Sequence, residues 1–418
     1  MGSKVKSPNS KMILTILFFG WIISYIDRTA ISFALVQIGK DLSLDASKLG
    51  MILSSFFIGY ALMQIPGGWL ADRFGSRKVI VIAVLFWSLF TALTGLAWSL
   101  VSLIVIRLLF GIGEGGYPSA STKAIADYFP ADQRTKAQST MMSSNMIGGA
   151  VAAIICGPLL ALLGWRPVFY LISLLGVVIV VWFLFATKNH GIIANQENSK
   201  KIGKSSKGEY KQLLRNSYLW KVLFIFFFMN IASWGLMSWM PSYLLQVYGI
   251  NLSSAGLLTA IPAVFAMTGM LISGRIIHRF GSYAKFGVIT GMLILTIVLF
   301  LMSSATSLTL IIVYQSVAFT FVSFVFSFVF TLPHRIMKPQ VVASAFGMIN
   351  FGGQAAGIAS PAIMGFLINA SGGSYKSAFL FLTVSCLLAT VIAIFLPSPK
   401  RHEQIASNVS ANVVSKPI

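Results

Sequence analysis

The sequence predicts an all-α polytopic membrane protein. It should have twelve transmembrane helices in two pseudo-symmetric six-helix bundles, with the N and C termini cytoplasmic. Three observations carry this reading. Of 418 residues, 56% are hydrophobic and only 10% charged, and the mean hydropathy is +0.83, whereas soluble domains carry about 25% charged residues. The apolar residues fall into runs near the roughly 20 residues that cross a bilayer. The chain also repeats itself. Gly68-Trp-Leu-Ala-Asp-Arg-Phe-Gly75 returns 206 residues later as Gly274-Arg-Ile-Ile-His-Arg-Phe-Gly281. At the same offset, Ser47-Lys-Leu-Gly-Met51 is answered by Ser253-Ser-Ala-Gly-Leu257. Parallel six-span halves of this kind are a transporter architecture.

The spans are expected at 12–38, 49–71, 79–98, 101–127, 137–163, 167–187, 219–247, 254–277, 285–303, 308–332, 342–369 and 377–396, divided by short turns containing Gly, Pro or Ser. Lys4, Lys6 and Lys11 ahead of the first run resemble the start of a signal peptide. Asp27-Arg28 interrupts that run and many spans follow, so it is read as an uncleaved first helix. Gly2 lacks a Ser or Thr at position 6, so myristoylation is not expected. The loops after spans 2, 4, 6, 8 and 10 hold Arg73/Arg77/Lys78, Arg134/Lys136, the segment 188–215, Arg279/Lys285 and Arg335/Lys338. The opposite loops show mainly Lys40, Lys48, Arg166 and Lys376. Lys and Arg mark cytoplasmic loops, which places both termini there. The division is then an N-terminal six-helix bundle (1–187), a cytoplasmic Lys-rich linker (188–217), a C-terminal six-helix bundle (218–396) and a cytoplasmic tail (397–418).

Several function classes drop out. The net charge of +21 sits in alternate loops beside an anionic leaflet, so no nucleic-acid partner is expected. Cys156 and Cys386 lie within apolar spans, and His190, His278, His334 and His402 are scattered, so neither a disulfide nor a metal site is expected. No G-x-x-x-x-G-K-[ST] occurs, which argues against an ATP-driven pump. Residues 111–116 match G-x-G-x-x-G, but inside an apolar helix and without a βαβ unit. Gly111-x-x-x-Gly115 is better read as a close helix contact.

The spans nonetheless carry charge. Arg107 and Glu114 are seven residues apart, two turns on one face, and about 10 Å apart along the axis. Each such charge costs about 2.5–3.5 kcal/mol at a bilayer centre on insertion scales, so both must face a polar interior. The two-turn gap strains a direct pair, and Asp27 and Arg28 in span 1 are the candidate partners. Ser24, Asp27, Arg28 and Ser32 form one polar stripe there. The C-terminal half holds almost no charge in its spans. It has stripes of Asn230, Ser233, Trp234 and Met237, of Ser316, Thr320, Ser323, Ser327 and Thr331, and of Gly347, Asn350, Gln354 and Gly357. These surfaces suit a polyol chain or hydrogen bonding between helices. A transporter whose cavity handles an anion and a proton fits these residues.

Gly68-x-x-x-Asp72-Arg73-x-Gly75-x-Arg77-Lys78 after span 2 resembles the signature of the major facilitator superfamily, with Ser76 a slight departure. The resemblance implies that Gly68, Asp72, Arg73, Gly75 and Arg77 help hold a cytoplasmic gate, through charge contacts between the halves. Tyr25-Ile-Asp27-Arg28, together with Arg107-x6-Glu114 followed by Gly-Gly-x-Pro, is similar to the anion:cation symporter family within it. Gln64-Ile-Pro-Gly-Gly-Trp69 and Trp239-Met-Pro-Ser-Tyr243 look like its bacterial members for sugar acids such as hexuronates, aldonates and aldarates.

The resemblance implies that Asp27 and Glu114 carry protons. It implies that Arg28 and Arg107 neutralise the acids or bind the substrate carboxylate. Tyr25, Tyr60 and Asn145 would line the site from the N-terminal half, and Asn350 and Gln354 from the C-terminal half. No cofactor is expected, the coupling ion being H+. The partners would be a small organic anion, protons and the lipid bilayer, and the protein would be a monomer in a bacterial inner membrane. No enzyme activity is expected. An anion exchanger, a symporter of an aromatic or dicarboxylic acid, and a non-transporting anion sensor remain open beside proton-coupled symport of a sugar acid.

Overall fold

A computed structural model describes residues 10–188, 214–280, 284–336 and 339–397. The expected linker and tail lie outside the described residues except at their edges. Every regular element among the described residues is helical: α1 (Ser10–Asp41), α2 (Ala46–Phe74), α3 (Ser76–Gly95), α4 (Leu100–Gly115), α5 (Tyr117–Tyr128), α6 (Ala131–Leu163), α7 (Trp165–Thr187), α8 (Ser217–Val247), α9 (Leu252–Phe280), α10 (Ala284–Met302), α11 (Leu308–Ile336), α12 (Pro339–Ala370) and α13 (Lys376–Ile394). Among the described residues twelve segments are long and apolar enough to cross a membrane, α4 and α5 counting as one, Leu100–Tyr128.

The fourth span expected at 101–127 is present as Leu100–Tyr128, with a one-residue break between α4 and α5 at Gly116. Pro118 has no N–H to give the Glu114 carbonyl four residues back, so the helix is interrupted at Gly116. The start of α4 is fixed by a reciprocal cap, in which Ser99 Oγ accepts from the Ser102 N–H and Ser102 Oγ from the Ser99 N–H. Gly75 joins α2 to α3 at φ +84°, a backbone that favours glycine. Asp45 caps α2 by accepting from the Lys48 N–H at 2.9 Å.

The described helices fall into two compact units, interleaved along the chain. One takes Met1–Ser199, Trp234–Ala263 and Gly357–Ala378; the other takes Lys200–Ser233, Val264–Ala356 and Phe379–Ile418. In the first, α2 lies along α4, α1 along α6 and α3 along α7. The α2–α4 approach depends on glycine. A Cβ at Gly111 would lie 2.2 Å from the Phe56 carbonyl oxygen, one at Gly115 2.5 Å from that of Tyr60, and one at Gly59 2.0 Å from that of Leu108. The sequence reading of Gly111-x-x-x-Gly115 as a close packing surface matches this contact. At one end of the unit Asp41 takes Arg166 and the Trp165 indole, and Arg166 also reaches the Ala97 carbonyl at 3.2 Å. The second unit is packed by aromatics. Phe226 lies 5.8 and 5.3 Å from Phe326 and Phe330, and Phe330 stacks on Phe346.

Candidate functional site

The four charges that the sequence places inside spans meet in the first unit as two ion pairs between helices. Arg107 Nη1 of α4 lies 3.2 Å from Asp27 Oδ1 of α1. Arg28 Nε of α1 lies 2.7 Å from Glu114 Oε1 of α4. Neighbouring residues on α1 thus serve partners two turns apart on α4, because successive helical residues point about 100° apart. Ser24, one turn before Arg28, donates its hydroxyl to Glu114 Oε1. Thr91 of α3 donates to Asp27 Oδ2. Asp27, Arg107 and Glu114 are each 1% exposed. The quartet sums to zero charge, which is how buried ions are tolerated.

Aromatic rings surround the guanidinium groups. Arg28 lies 4.5 Å from the Tyr60 ring centroid, 5.0 Å from Phe56 and 5.3 Å from Tyr25. Arg107 lies 5.0 Å from both Phe110 and Phe169. Rings replace part of the hydration of a cation while leaving its N–H edge available. Among the described residues Arg28 Nη2, Arg107 Nε and Nη2, and Glu114 Oε2 are buried and make no hydrogen bond. Both arginines line a cavity of about 30 Å³ with Ser32, Phe57, Trp234 and Ser238. Trp234 meets Phe57 edge-on at 4.7 Å. The space admits a water or two, so it must widen before an organic ion can reach both arginines.

The Major Facilitator Superfamily pattern matches residues 17–361. The chain belongs to this superfamily. Its relatives include a probable sulfoacetate transporter of Cupriavidus necator, 31% identical, with 91% of each chain covered. A hexuronate transporter of Bacillus subtilis is 29% identical, with 96% of each covered. A probable galactarate/D-glucarate transporter of Escherichia coli is 29% identical, covering 92% of this chain and 94% of the relative. Among solved structures, a bacterial homologue of the human lysosomal transporter Spinster, inward-facing and unoccupied, superposes with a TM-score of 0.78 at 22% identity, covering 95% of this chain and 97% of that one. The protein is therefore a multi-pass membrane transporter of this superfamily and not an enzyme.

In the superfamily signature, Asp72 at the end of α2 pairs with Lys123 of α5 at 3.7 Å, within the same unit. Lys123 also reaches Asp127 at 3.4 Å, and Ser76 donates to Asp127 at 2.6 Å. Lys123 is therefore tied to two acids. Arg73 lies over Trp69 and Phe74, and Gly68 faces Ser119 of α5. Gly75 caps α2, and Arg77 follows in the first turn of α3.

Tyr25 and Tyr60 join the charge site through Arg28. Asn145 sits on α6, one turn before Gly148, which backs onto Tyr25. Its Oδ1 is buried without a partner among the described residues. Asn350 and Gln354 lie on α12 in the second unit, and Gln354 Oε1 has no described partner. The hydroxyl stripe of α11 spends its donors locally. Ser316, Thr320, Ser327 and Thr331 each donate to the carbonyl four residues back, leaving lone pairs as acceptors. Sequence reasoning missed Thr91, Asp127 and Ser238. The signal for Thr91 was a run of Ser88, Thr91 and Thr94, all at one face of an otherwise apolar span.

Proposed function

We propose that this protein imports an organic anion of the sugar-acid class, such as a hexuronate, aldonate or aldarate, together with protons. The observation that carries the reading is the pair of crossed ion pairs beside one cavity, with guanidinium N–H groups left over. An anion entering this cavity competes with Glu114 for Arg28 and with Asp27 for Arg107 by charge-assisted bonds. A carboxylate that loses its arginine to the substrate is left buried and unpaired, which is unfavourable unless it takes up a proton. Anion and proton therefore favour each other's binding, by linkage. Access then alternates between the two sides of the membrane. Loaded and empty forms, in which the buried charges balance, are the ones that interconvert. The relatives transporting hexuronate and, by their names, galactarate or D-glucarate support the substrate class.

The same reading places residues 1–187 and 218–396 as six-span halves joined by the linker. Both termini lie in the cytoplasm of a bacterium, the chain sits in the inner membrane as a monomer, and no cofactor takes part. The relative named for sulfoacetate favours a second reading, symport of a smaller organic acid through the same arginines.

The test is uptake into proteoliposomes under an imposed inward proton gradient, with a hexuronate, an aldonate, an aldarate and sulfoacetate in parallel. Accumulation of one sugar acid that a protonophore abolishes is the expected result. Accumulation of sulfoacetate alone selects the second reading. Uptake that ignores the protonophore refutes proton coupling.

A further inference from the structure

We infer that Thr91 is a positioning residue whose hydroxyl reverses direction with the protonation state of Asp27. The inference rests on the proton-coupled reading above. It begins from two hydrogen bonds made by one hydroxyl. Thr91 Oγ1 donates to Asp27 Oδ2, and it also lies 3.0 Å from the Trp87 carbonyl oxygen one turn back on α3. A hydroxyl has one proton to give and two lone pairs to receive with. It can serve only one of those acceptors fully at a time.

The two protonation states of Asp27 ask for opposite things. The carboxylate accepts and cannot donate; the protonated acid carries an O–H that needs an acceptor. With Asp27 ionised, Thr91 points its proton at Oδ2. With Asp27 protonated, the acid donates to Thr91 Oγ1 and the threonine proton turns to the Trp87 carbonyl. Rotation of one O–H bond keeps every polar atom of the pair satisfied in both states. That matters because Thr91 is fully buried and Asp27 is 1% exposed, so water is not at hand to make up the lost bond and an unsatisfied group is costly.

The groups facing Asp27 show why this task falls to Thr91. From α4 come Arg107, in contact, and Glu114 farther off. From α1 itself comes Arg28, turned toward Glu114. From α6 comes Cys156, whose thiol is directed at the Ile26 carbonyl. The guanidinium groups carry only donors, so they hold the ionised acid and offer no acceptor to the O–H of the neutral one. Ser24 makes the corresponding bond to Glu114, without a second acceptor of the kind Trp87 provides among the described residues.

The experiment measures uptake against external pH in proteoliposomes, at fixed internal pH, for the wild type, Thr91→Val, Thr91→Ser and Thr91→Ala. Valine keeps the β-branched volume and removes the hydroxyl; serine restores it. A wild-type control with protonophore runs alongside. Valine leaves the O–H of the protonated acid without its acceptor while Arg107 still holds the carboxylate, so the pH at which uptake falls to half should fall by about one unit in Thr91→Val. Thr91→Ser should follow the wild type. Thr91→Ala supplies the comparison should the valine protein not reach the membrane. Counterflow at acid pH, where Asp27 is already protonated, should change little. Coincident pH profiles for valine, alanine and wild type overturn the inference while leaving proton coupling intact. An equal displacement of serine and valine overturns it too, by assigning the effect to packing. Wild-type uptake that ignores the protonophore removes the proton-coupled reading, and this inference with it.

Discussion

Replacing Glu114 with Gln isolates one half of the charge site. The amide keeps the shape, and its oxygen can still accept from Ser24. What it loses is the charge that holds Arg28 at 2.7 Å. At an effective dielectric of about 20, two unit charges at that separation attract by on the order of 6 kcal/mol. An anion claiming Arg28 from wild-type protein must replace that attraction, or arrive with a proton that removes it. Linkage turns this into a slope. Each proton taken up with the anion makes its apparent Kd rise about tenfold per pH unit above the range where the carboxylate is protonated.

Glu114→Gln is locked in the state that protonation would produce. Whatever Asp27 contributes, the slope of log Kd against pH should fall by one in the variant. Over two pH units in the alkaline range, the variant should come to bind about a hundredfold more tightly than wild type. Titration calorimetry on purified protein at constant ionic strength measures it. Proteoliposomes should show proton-driven accumulation lost and exchange of bound anion kept. Equal slopes in the two proteins, or accumulation against a gradient by Glu114→Gln, would refute the assignment of a coupled proton to this residue.

Arg107→Ala should abolish both accumulation and exchange. By leaving Asp27 buried without its ion, it should also destabilise the protein by about 3–5 kcal/mol; thermal melting in detergent should show most of that recovered by adding Asp27→Asn. Gly111→Val places a Cβ 2.2 Å from the Phe56 carbonyl oxygen, so α2 and α4 must part by about 1 Å at a cost of roughly 1–3 kcal/mol. Uptake should fall with it, because Phe56 and Tyr60 stand beside Arg28; unchanged uptake would show that this helix contact does not set the site. Trp234→Ala removes the ring over Phe57 and enlarges the cavity, and competition assays should show weaker discrimination among acids of different length. Asp45→Ala loses an α2 cap and about 1 kcal/mol, the exposed Lys48 pair adding little. The Lys48 backbone N–H holds the Asp45 carboxyl below its ordinary value. The stability gap between wild type and variant should therefore be full above about pH 4 and close as pH falls through the depressed value, as melting curves at several pH values would show.

The reach of the sequence differs from element to element. Arg107 and Glu114 announced themselves because a charge in an apolar run is costly enough to need a reason. The two-turn gap between them required partners elsewhere, and Asp27 and Arg28 were the only other charges at that depth in the N-terminal half. The glycines of α4 were legible as a close contact for a similar reason: a run lacking Cβ atoms invites another backbone. Thr91 and Asp127 were not legible. A threonine in a span normally bonds its own helix, even within a run such as Ser88, Thr91 and Thr94, and an acid near a loop is normally solvated; their roles come from what α1 and α3 bring beside them. The hydroxyls of α11 went the other way, reading as a polar face while donating to carbonyls of their own helix, Thr320 alone of the four also reaching the Phe265 carbonyl of α9.

By itself, the sequence determined that the chain is a bundle of membrane-crossing helices, how many there are, and which charges had to lie inside, because hydropathy and desolvation act on residues one at a time. Which acid pairs with which arginine, which hydroxyl serves each carboxylate, and which rings close the cavity were decided only in the tertiary structure. The bonds among the acids, arginines and hydroxyls join residues 64 to 90 positions apart, the rings Phe57 and Trp234 are farther apart still, and no local rule of spacing fixes the azimuth at which one helix meets another.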